Sequence, residues 1–256
     1  MCSSGHVYDA NKRGYLSLVD RSRGIVGDSP AILAARDRFL AGGHYSPIVN
    51  LLDAVAPQDP HLSLLDSGCG TGYYLARLLE RRTDWQALAL DVSVDAVAQA
   101  ARAARSPGVV ADVWQPLPVR DGRADVVLCV FAPRNVPEFA RVLAPEGRLV
   151  VVTPAQSHLE QLRDAGRVIG MQADKLAHLD ATLVSSFVVD RRESLQYTVE
   201  LTGDEVDSLA SMGPSGHHHA QGASRGSGDG AGALGAAASA LTPVTVAVDV
   251  SVYRPA

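Results

Sequence analysis

The sequence predicts an α/β domain with a doubly wound parallel sheet, and three observations support this fold class. From about residue 62, short apolar segments alternate with helical ones, and four β-α units in series are typical of a parallel sheet covered by helices on both faces. The strand predicted at Asp125–Phe131 overlaps the run Val126–Ala132, whose 7 apolar residues indicate a central strand buried on both faces. A glycine-rich loop, residues 68–72, follows the first strand of the series directly.

The elements follow in order along the chain. Residues 1–28 lack apolar periodicity and predict a small irregular module. A helix is predicted to begin at Pro30, capped by Ser29, and to end at Gly42–Gly43, and a second helix is predicted at Pro47–Val55. The predicted strands of the alternating region are Leu64–Leu65, Ala87–Leu90, Val109–Ala111, Asp125–Phe131 and Leu149–Thr153. The predicted helices between them are Tyr73–Arg81, Val94–Ala104 and Glu138–Leu143.

The C-terminal part predicts a different organisation. A helix is expected at Ser157–Ala165, one or two strands in Ser185–Thr202, and a helix at Asp204–Met212. Eight of the 23 residues from 213 to 235 are glycine, which predicts a flexible low-complexity loop over residues 213–242. Valine at every second position from 244 to 252 predicts the last strand of the sheet. We divide the chain into an N-terminal module with the first helix, residues 1–46, and an α/β domain, residues 47–256.

Composition excludes several classes of protein. Hydrophobic residues at 46% and charged residues at 20% exclude wholesale disorder, collagen and a coiled coil. The longest apolar run is far shorter than the roughly 18 residues that a bilayer requires, so no membrane partner is expected. The first 20 residues lack the apolar core of a signal peptide, and three scattered cysteines fit a reducing compartment. The expected location is therefore the cytoplasm.

The charge pattern gives a mixed indication about nucleic acids. The net charge of −5 argues mildly against a nucleic-acid partner, because phosphate-binding proteins usually carry a basic excess. Residues 1–47, however, hold six basic and four acidic groups. The N-terminal module is therefore the part of the chain in which a phosphate contact is expected.

The glycine-rich loop carries the strongest functional signal. It reads Leu64-Leu65-Asp66-Ser67-Gly68-Cys69-Gly70-Thr71-Gly72, and its alternate glycines let backbone approach a ligand closely at the carboxyl edge of the sheet. Tyr73 stands where a dinucleotide-binding loop would need its third glycine, and the Gly-Lys-Ser/Thr of a P-loop is absent. The spacing resembles the first motif of class I S-adenosylmethionine (SAM) methyltransferases, whose fold is a Rossmann-like doubly wound sheet.

That resemblance implies a set of SAM contacts. It places Asp91, 19 residues past Gly72, at the ribose hydroxyls, and Asp112 at the adenine amino group. Read without the resemblance, acidic residues at strand ends also occur as solvated caps, and glycines at such turns also serve packing. The loop residues that the resemblance assigns to SAM are Asp66, Gly68, Gly70, Thr71 and Gly72.

Further motifs along nearly the whole chain resemble those of the 23S rRNA (guanine-N1)-methyltransferases. In the N-terminal part these are Cys2-Ser3-Ser4-Gly5-His6, Gly14-Tyr15-Leu16, Gly27-Asp28-Ser29, Ala34-Ala35-Arg36 and Gly43-His44-Tyr45-Ser46-Pro47. Later in the chain they are Phe131-Ala132-Pro133-Arg134-Asn135, Thr153-Pro154 before His158-Leu159, and Met212-Gly213-Pro214-Ser215. The Ala-Pro-Arg-Asn sequence looks most similar to the macrolide-resistance branch, the tylosin and mycinamicin resistance methyltransferases.

This second resemblance adds residues to the site. It implies that Tyr45 lies over the cofactor and His158 near it. The family's zinc site consists of Cys-x-x-Cys followed by Cys-x-x-x-His, of which Cys2 and His6 match only the second half. Two ligands do not hold a structural zinc. The other half of the site therefore lies upstream of the printed start, or the site is lost.

The implied function is transfer of a methyl group from SAM to N1 of a guanine in a domain II hairpin of 23S rRNA, which confers macrolide resistance, and the family pairs as homodimers. Arg134 and Asn135 are candidates for contact with the base, and His158 is a third candidate for a catalytic role. The sequence lacks the Asp/Asn-Pro-Pro-Tyr/Phe of amino-group methylases at residues 131–135. Two alternatives stay open: a small-molecule C- or O-methyltransferase, and a SAM-binding RNA-associated factor without catalysis.

Overall fold

A single mixed sheet of eight strands forms the centre of the molecule. The computed structural model describes residue 9 and residues 11–19, 27–168, 175–213 and 241–256. The strands are β1 (Tyr15–Ser17), β2 (Ser63–Ser67), β3 (Gln86–Asp91), β4 (Gly108–Val110), β5 (Ala124–Val130), β6 (Leu143–Pro154), β7 (Phe187–Leu201) and β8 (Thr242–Pro255). Their order is β1-β4-β3-β2-β5-β6-β8-β7, in which β8 is antiparallel to both of its neighbours and the other pairs are parallel. The predicted doubly wound fold is confirmed.

The helices cover both faces of this sheet. They are α1 (Pro30–Ala41), α2 (Ser46–Val55), α3 (Tyr73–Leu79), α4 (Val94–Ala104), α5 (Val136–Val142), α6 (Glu160–Asp164), α7 (Lys175–Leu183) and α8 (Gly203–Ser211). The start of α1 is as predicted, because the Ser29 hydroxyl accepts a hydrogen bond from the Ile32 N–H at 3.4 Å. The bounds of α4 match the prediction, whereas α7 has no counterpart in it. In the described ranges, each helix is too short or too polar to cross a bilayer.

Two apolar cores lie on opposite faces of the sheet, and β5 contributes to both. Val126 and Leu128 point into the core that α1 to α4 and α8 cover, whereas Val127 and Cys129 point into the core beneath α5 and α7. All four side chains are at most 1% exposed. Burial on both sides is the reason for the unbroken apolar run in the sequence.

The N-terminal part of the described chain belongs to the same structure. β1 pairs in parallel with β4 and extends the sheet. The sequence did not predict this strand, because three residues are too few to show a periodic apolar pattern. Phe39 and Leu40 of α1 pack in the same core as Ile48 of α2. The boundary predicted at residue 46 therefore does not separate two cores. Cys2 and His6 lie outside the described residues.

The C-terminal strand β8 lies inside the sheet between β6 and β7. Its alternating valines face one core, and its other face buries polar side chains that have partners. Ser194 Oγ donates to Asp249 Oδ1 at 2.6 Å, and Arg192 Nε donates to Ser251 Oγ at 3.0 Å. The predicted loop at residues 213–242 lies almost entirely outside the described residues.

Two predicted bounds are wrong for identifiable local reasons. The helix predicted at Ser157–Ala165 is only α6, because Leu159 adopts a left-handed backbone with φ of +57° just before it. Leu143, predicted as helical, is extended and begins β6. The segment predicted as one or two strands is the single long strand β7, as one of these alternatives expects, and it pairs antiparallel with β8.

Candidate functional site

The glycine loop turns sharply between β2 and α3, and its geometry requires glycine. Gly68, Gly70 and Gly72 have φ of +81°, +50° and +77°, which lie in the left-handed region. A Cβ on Gly68 would lie 2.4 Å from the Cβ of Ala132, and a Cβ on Gly72 would lie 2.5 Å from the Cα of Ala100. The loop is therefore a backbone surface held between the end of β5 and the helix α4.

The backbone of this loop is fixed to β3. The Leu90 carbonyl accepts hydrogen bonds from the N–H groups of Gly68 and Cys69, at 2.8 and 3.0 Å. The Asp91 carboxylate accepts from the N–H of Gly70 at 3.0 Å and from the N–H of Ser93 at 2.9 Å. Asp91 therefore orients the loop in addition to any contact that it makes with a ligand.

Two carboxyl groups close enough to interact lie at the loop, of which Asp66 is buried and Asp91 is partly exposed. Burial, with a smaller contribution from the Asp91 charge, raises the pKa of Asp66 to about 7. Burial is also the main cause that raises the pKa of Asp91, and its bonds to Ser93 and Gly70 oppose this. A ligand with positive charge near these groups would stabilise their ionised forms.

The third predicted carboxylate, Asp112, lies past the end of β4. Its Oδ1 accepts a hydrogen bond from the N–H of Trp114 at 3.0 Å. The Trp114 side chain is 62% exposed, which is unusual for a large aromatic residue. Asp66, Asp91 and Asp112 thus stand at the carboxyl ends of three neighbouring strands, where open α/β sheets bind their ligands.

These residues fit SAM. The loop offers bare backbone at Gly68 and Gly72, where an added Cβ would collide with Ala132 and Ala100, and Thr71 is buried within it. Asp91 and Asp112 follow adjacent strands, β3 and β4, in the order that the nucleoside of SAM requires. The residues predicted to contact SAM from this half of the site are therefore brought together, and their individual roles stay predictions.

Tyr45 and His158, which are 113 residues apart in the sequence, meet in the interior. The Ala247 N–H donates to His158 Nδ1 at 3.2 Å, so Nδ1 carries no proton. The neutral ring then carries its proton on Nε2, which donates to the Tyr45 hydroxyl at 3.5 Å. Burial raises the pKa of Tyr45 far above its ordinary value, so the phenol stays protonated. Tyr45 can use that proton to donate to a ligand.

Phe131 is a site residue that the sequence analysis quoted within a motif but did not single out. It follows β5 directly, adopts a left-handed backbone with φ of +53°, and is 40% exposed. Its ring stacks on His158 with 6.1 Å between centroids and lies edge-on to Tyr74 at 6.4 Å. Strained backbone of this kind persists at functional sites, where the surroundings fix it. An aromatic residue at the end of the central strand is the signal that points to it.

The structure gives Arg134 and Asn135 different positions. The Asn135 side chain caps α5 by accepting from the Glu138 N–H at 3.5 Å, and its amide donates to the Val113 carbonyl at 2.8 Å. Both of its polar atoms are thus committed to the fold. Arg134 is partly exposed three residues after Phe131, and its side chain donates one hydrogen bond among the described residues, to the Ala132 carbonyl at 3.4 Å. Arg134 is the better placed of the two to meet a substrate.

The metal prediction lies outside the described part of the chain, because Cys2 and His6 are not in it. Within the described ranges, three or more His, Cys, Asp or Glu side chains nowhere gather as a metal site would require. A cavity of about 650 Å³ is lined by residues from 155–164, 194–196 and 247–249 and includes no residue of the glycine loop.

Comparisons with known proteins agree with this geometry. The family described as "Methyltransferase domain" matches residues 65–151, which contain the glycine loop and strands β3 to β5. The 23S rRNA (guanine(748)-N(1))-methyltransferase of Streptomyces fradiae is 40% identical over 85% of this chain and 79% of its own length. The chain belongs to the 23S rRNA (guanine-N1)-methyltransferase family. A Micromonospora griseorubida protein, named provisionally with the same activity, is 37% identical over 99% of this chain and 90% of its own.

Solved structures show the same fold at lower similarity. A Bacillus halodurans protein described provisionally as a methyltransferase has a TM-score of 0.55 and 16% identity, over 80% of this chain and 97% of its own. A Bacillus subtilis protein has a TM-score of 0.52 and 16% identity, over 82% and 98%. The expected SAM dependence follows from membership of this methyltransferase family, and the resemblance read from the sequence is confirmed.

Proposed function

We propose that this protein transfers a methyl group from SAM to N1 of a guanine in 23S rRNA. The observation that carries the proposal is the contact between the two parts of the site. Ala132, next to Phe131, lies so close to Gly68 that only glycine fits there. The exposed Phe131 ring and the SAM loop therefore border one opening, in which a base on Phe131 would face the methyl donor.

The chemistry needs alignment more than it needs a strong catalytic group. When bound, SAM supplies a methyl group that its sulfonium makes electrophilic. The protein contributes a rigid loop, carboxylates that orient the nucleoside, and an aromatic ring that holds the acceptor. The protein increases the rate mainly by holding the reacting atoms in line and within about 3–3.5 Å of each other.

The acceptor base must be unpaired, because N1 of guanine lies in the Watson–Crick edge. Hairpin loops of RNA present such bases, and aromatic side chains or arginine planes stack on them. Phe131 and Arg134 are suited to these two contacts. His158 is suited to positioning, because its Nε2 already carries a proton and its Nδ1 lone pair accepts from Ala247. The N1 proton therefore leaves to another acceptor or to water.

The finer substrate assignment follows the relatives. Position 748 in the name of the Streptomyces fradiae enzyme makes the corresponding guanine of the domain II hairpin the proposed target. Methylation there would disturb macrolide contact with the ribosome and give resistance to tylosin- or mycinamicin-type drugs. The protein would act in the cytoplasm, as a homodimer in which the N-terminal module, with or without zinc, contacts the hairpin.

One assay separates this function from its two alternatives. The protein is incubated with 23S rRNA and methyl-labelled SAM, and the RNA is digested and examined by mass spectrometry for 1-methylguanosine. The proposal expects one labelled 1-methylguanosine, and primer extension places it. SAM turnover that needs no RNA would indicate a small-molecule methyltransferase. RNA binding without label transfer would indicate a factor without catalysis.

A further inference from the structure

Arg36, on α1, reaches the SAM loop from outside the motifs that define it. Its Nη1 lies 3.0 Å from the point that a Cβ on Gly70 would occupy. The Arg36 side chain is about one-quarter exposed, so it is mostly buried but still accessible to a ligand. A cation thus stands beside the middle glycine of the loop.

Two parts of the chain hold this guanidinium in place. Nη1 donates to Asp28 Oδ2 at 2.5 Å, and Nη2 donates to the carbonyl of Met212, just past α8, at 2.8 Å. These are its acceptors among the residues that the structure describes. A guanidinium has five N–H donors, so Arg36 can accept a further anion without losing the Met212 contact.

The charges around the loop indicate which anion this is. Asp28, Asp66 and Asp91 make the crevice acidic, which suits the sulfonium and ammonium groups of SAM. The same SAM molecule carries a carboxylate at its amino-acid end, and three acidic side chains would repel it. Arg36 is the cation that stands beside the loop, and arginine binds carboxylates with paired hydrogen bonds.

We propose that Arg36 binds the amino-acid carboxylate of SAM, which would take the place beside Arg36 that Asp28 holds in this structure. This inference rests on the proposed function and assigns a binding residue to it. It makes the N-terminal segment at Gly27–Ser29 part of the cofactor site. Gly27 packs against Ser93, and Ser93 Oγ donates to the Asp28 carbonyl at 3.0 Å, so this segment is fixed beside Asp91.

Calorimetry with two ligands tests the assignment. S-adenosylhomocysteine keeps the carboxylate, and its decarboxylated analogue differs only by losing it. Arg36→Gln should weaken binding of S-adenosylhomocysteine by about 10- to 100-fold, the range of a hydrogen-bonded charge, and leave the analogue within about twofold. Arg36→Lys should keep part of the affinity. Arg38→Gln, a neighbouring exposed arginine on the same helix, should change neither.

The possible outcomes distinguish a failure of this inference from a failure of the proposed function. If Arg36→Gln weakened both ligands equally, or neither, Arg36 would not bind the carboxylate and the inference would be overturned. The thermal unfolding temperature of Arg36→Gln and of Arg36→Lys is measured as well, so that a loss of affinity caused by misfolding is recognised. If the wild-type protein bound neither ligand, the proposed function itself would be contradicted.

Discussion

The two halves of the site are built in different ways. The donor half, which consists of the glycine loop, Asp91 and Asp112, comes from one continuous stretch that runs from the end of β2 to just past β4. The acceptor half joins Tyr45, Phe131 and His158, which come from three distant parts of the chain. The first half is a local motif, and the second exists only after the sheet has assembled. Changes in the donor half should therefore affect cofactor binding and folding. In the acceptor half, Tyr45 and His158 are also predicted to lie at the cofactor, so only the exposed Phe131 ring should affect the RNA reaction alone.

The largest effect is expected in the donor half from Gly72→Ala. The new Cβ would meet backbone and side chain of Ala100 at 2.5 and 2.7 Å, in addition to the cost of φ at +77°. Left-handed strain and overpacking together cost about 2–5 kcal/mol. SAM binding should be lost in calorimetry, and the unfolding midpoint in urea should fall.

Gly166→Ala separates the two causes, because Gly166 has φ of +68° but nothing within 4 Å of a Cβ. It should cost only about 1–2 kcal/mol and leave SAM binding intact. Equal losses of stability in the two variants would show that the close approach to Ala100 does not matter.

The second effect is expected at Asp91, also in the donor half. Asp91→Asn keeps the size of the side chain but removes the charge that accepts from Gly70 and Ser93 and that would accept from the ribose. Affinity for SAM should fall by about 10- to 100-fold, the range for hydrogen bonds to a charged group. Asp95→Asn, on the first turn of α4, is the matched control. Unchanged affinity in the Asp91 variant would remove this residue from the cofactor site.

The third effect, that of Phe131→Ala, distinguishes the two halves of the site, because it should lower RNA methylation without changing SAM binding. Phe131→Ala removes the exposed ring and should lower kcat/KM for RNA by about 5- to 100-fold, since stacking of a base on an aromatic ring contributes about 1–3 kcal/mol. The SAM dissociation constant should not change. Phe131→Tyr keeps a ring and should retain most activity. A parallel fall in SAM affinity would place Phe131 in the donor half instead.

The smallest effect is a dependence on pH. Asp66 has a pKa of about 7 in the free protein, and a cationic ligand beside it favours its ionised form. SAM binding should therefore release a proton, and affinity should rise by roughly 3- to 10-fold from pH 6 to pH 8. The raised pKa also means that this group makes the free protein less stable as pH rises from about 4 to 7. In calorimetry, the SAM affinity of Asp66→Asn should not change with pH. If the affinity of this variant rose with pH as steeply as that of the wild type, the released proton would come from another group.

The positions of the donor-half residues in the fold were predictable from the sequence for a physical reason. Each of them lies at or just past the end of a strand whose apolar pattern is visible, so the end of the strand places the residue. The start of α1 was predictable from local signals, because Ser29 and Pro30 act on the backbone next to them, and Ser93 caps the start of α4 in the same way.

The rest depends on contacts between distant residues. Arg36 carries no local sign that it reaches Gly70, and its partner Met212 is 176 residues away. Phe131 ends an apolar run, and although its aromatic ring at the end of the strand is a signal, its left-handed backbone and its contacts with His158 and Tyr74 are visible only in the structure. The insertion of β8 between β6 and β7 likewise follows from pairing across the sheet. Tyr45 and His158 were found only through the family resemblance.

The most direct test of the two-halved site is a crystal structure with S-adenosylhomocysteine bound. The nucleoside should lie along Asp91 and Asp112, the amino-acid end should follow Gly68–Gly72, and the sulfur should face the opening beside Phe131. Density for the ligand in the 650 Å³ cavity beside Asp249, or with its sulfur turned away from Phe131, would contradict this account.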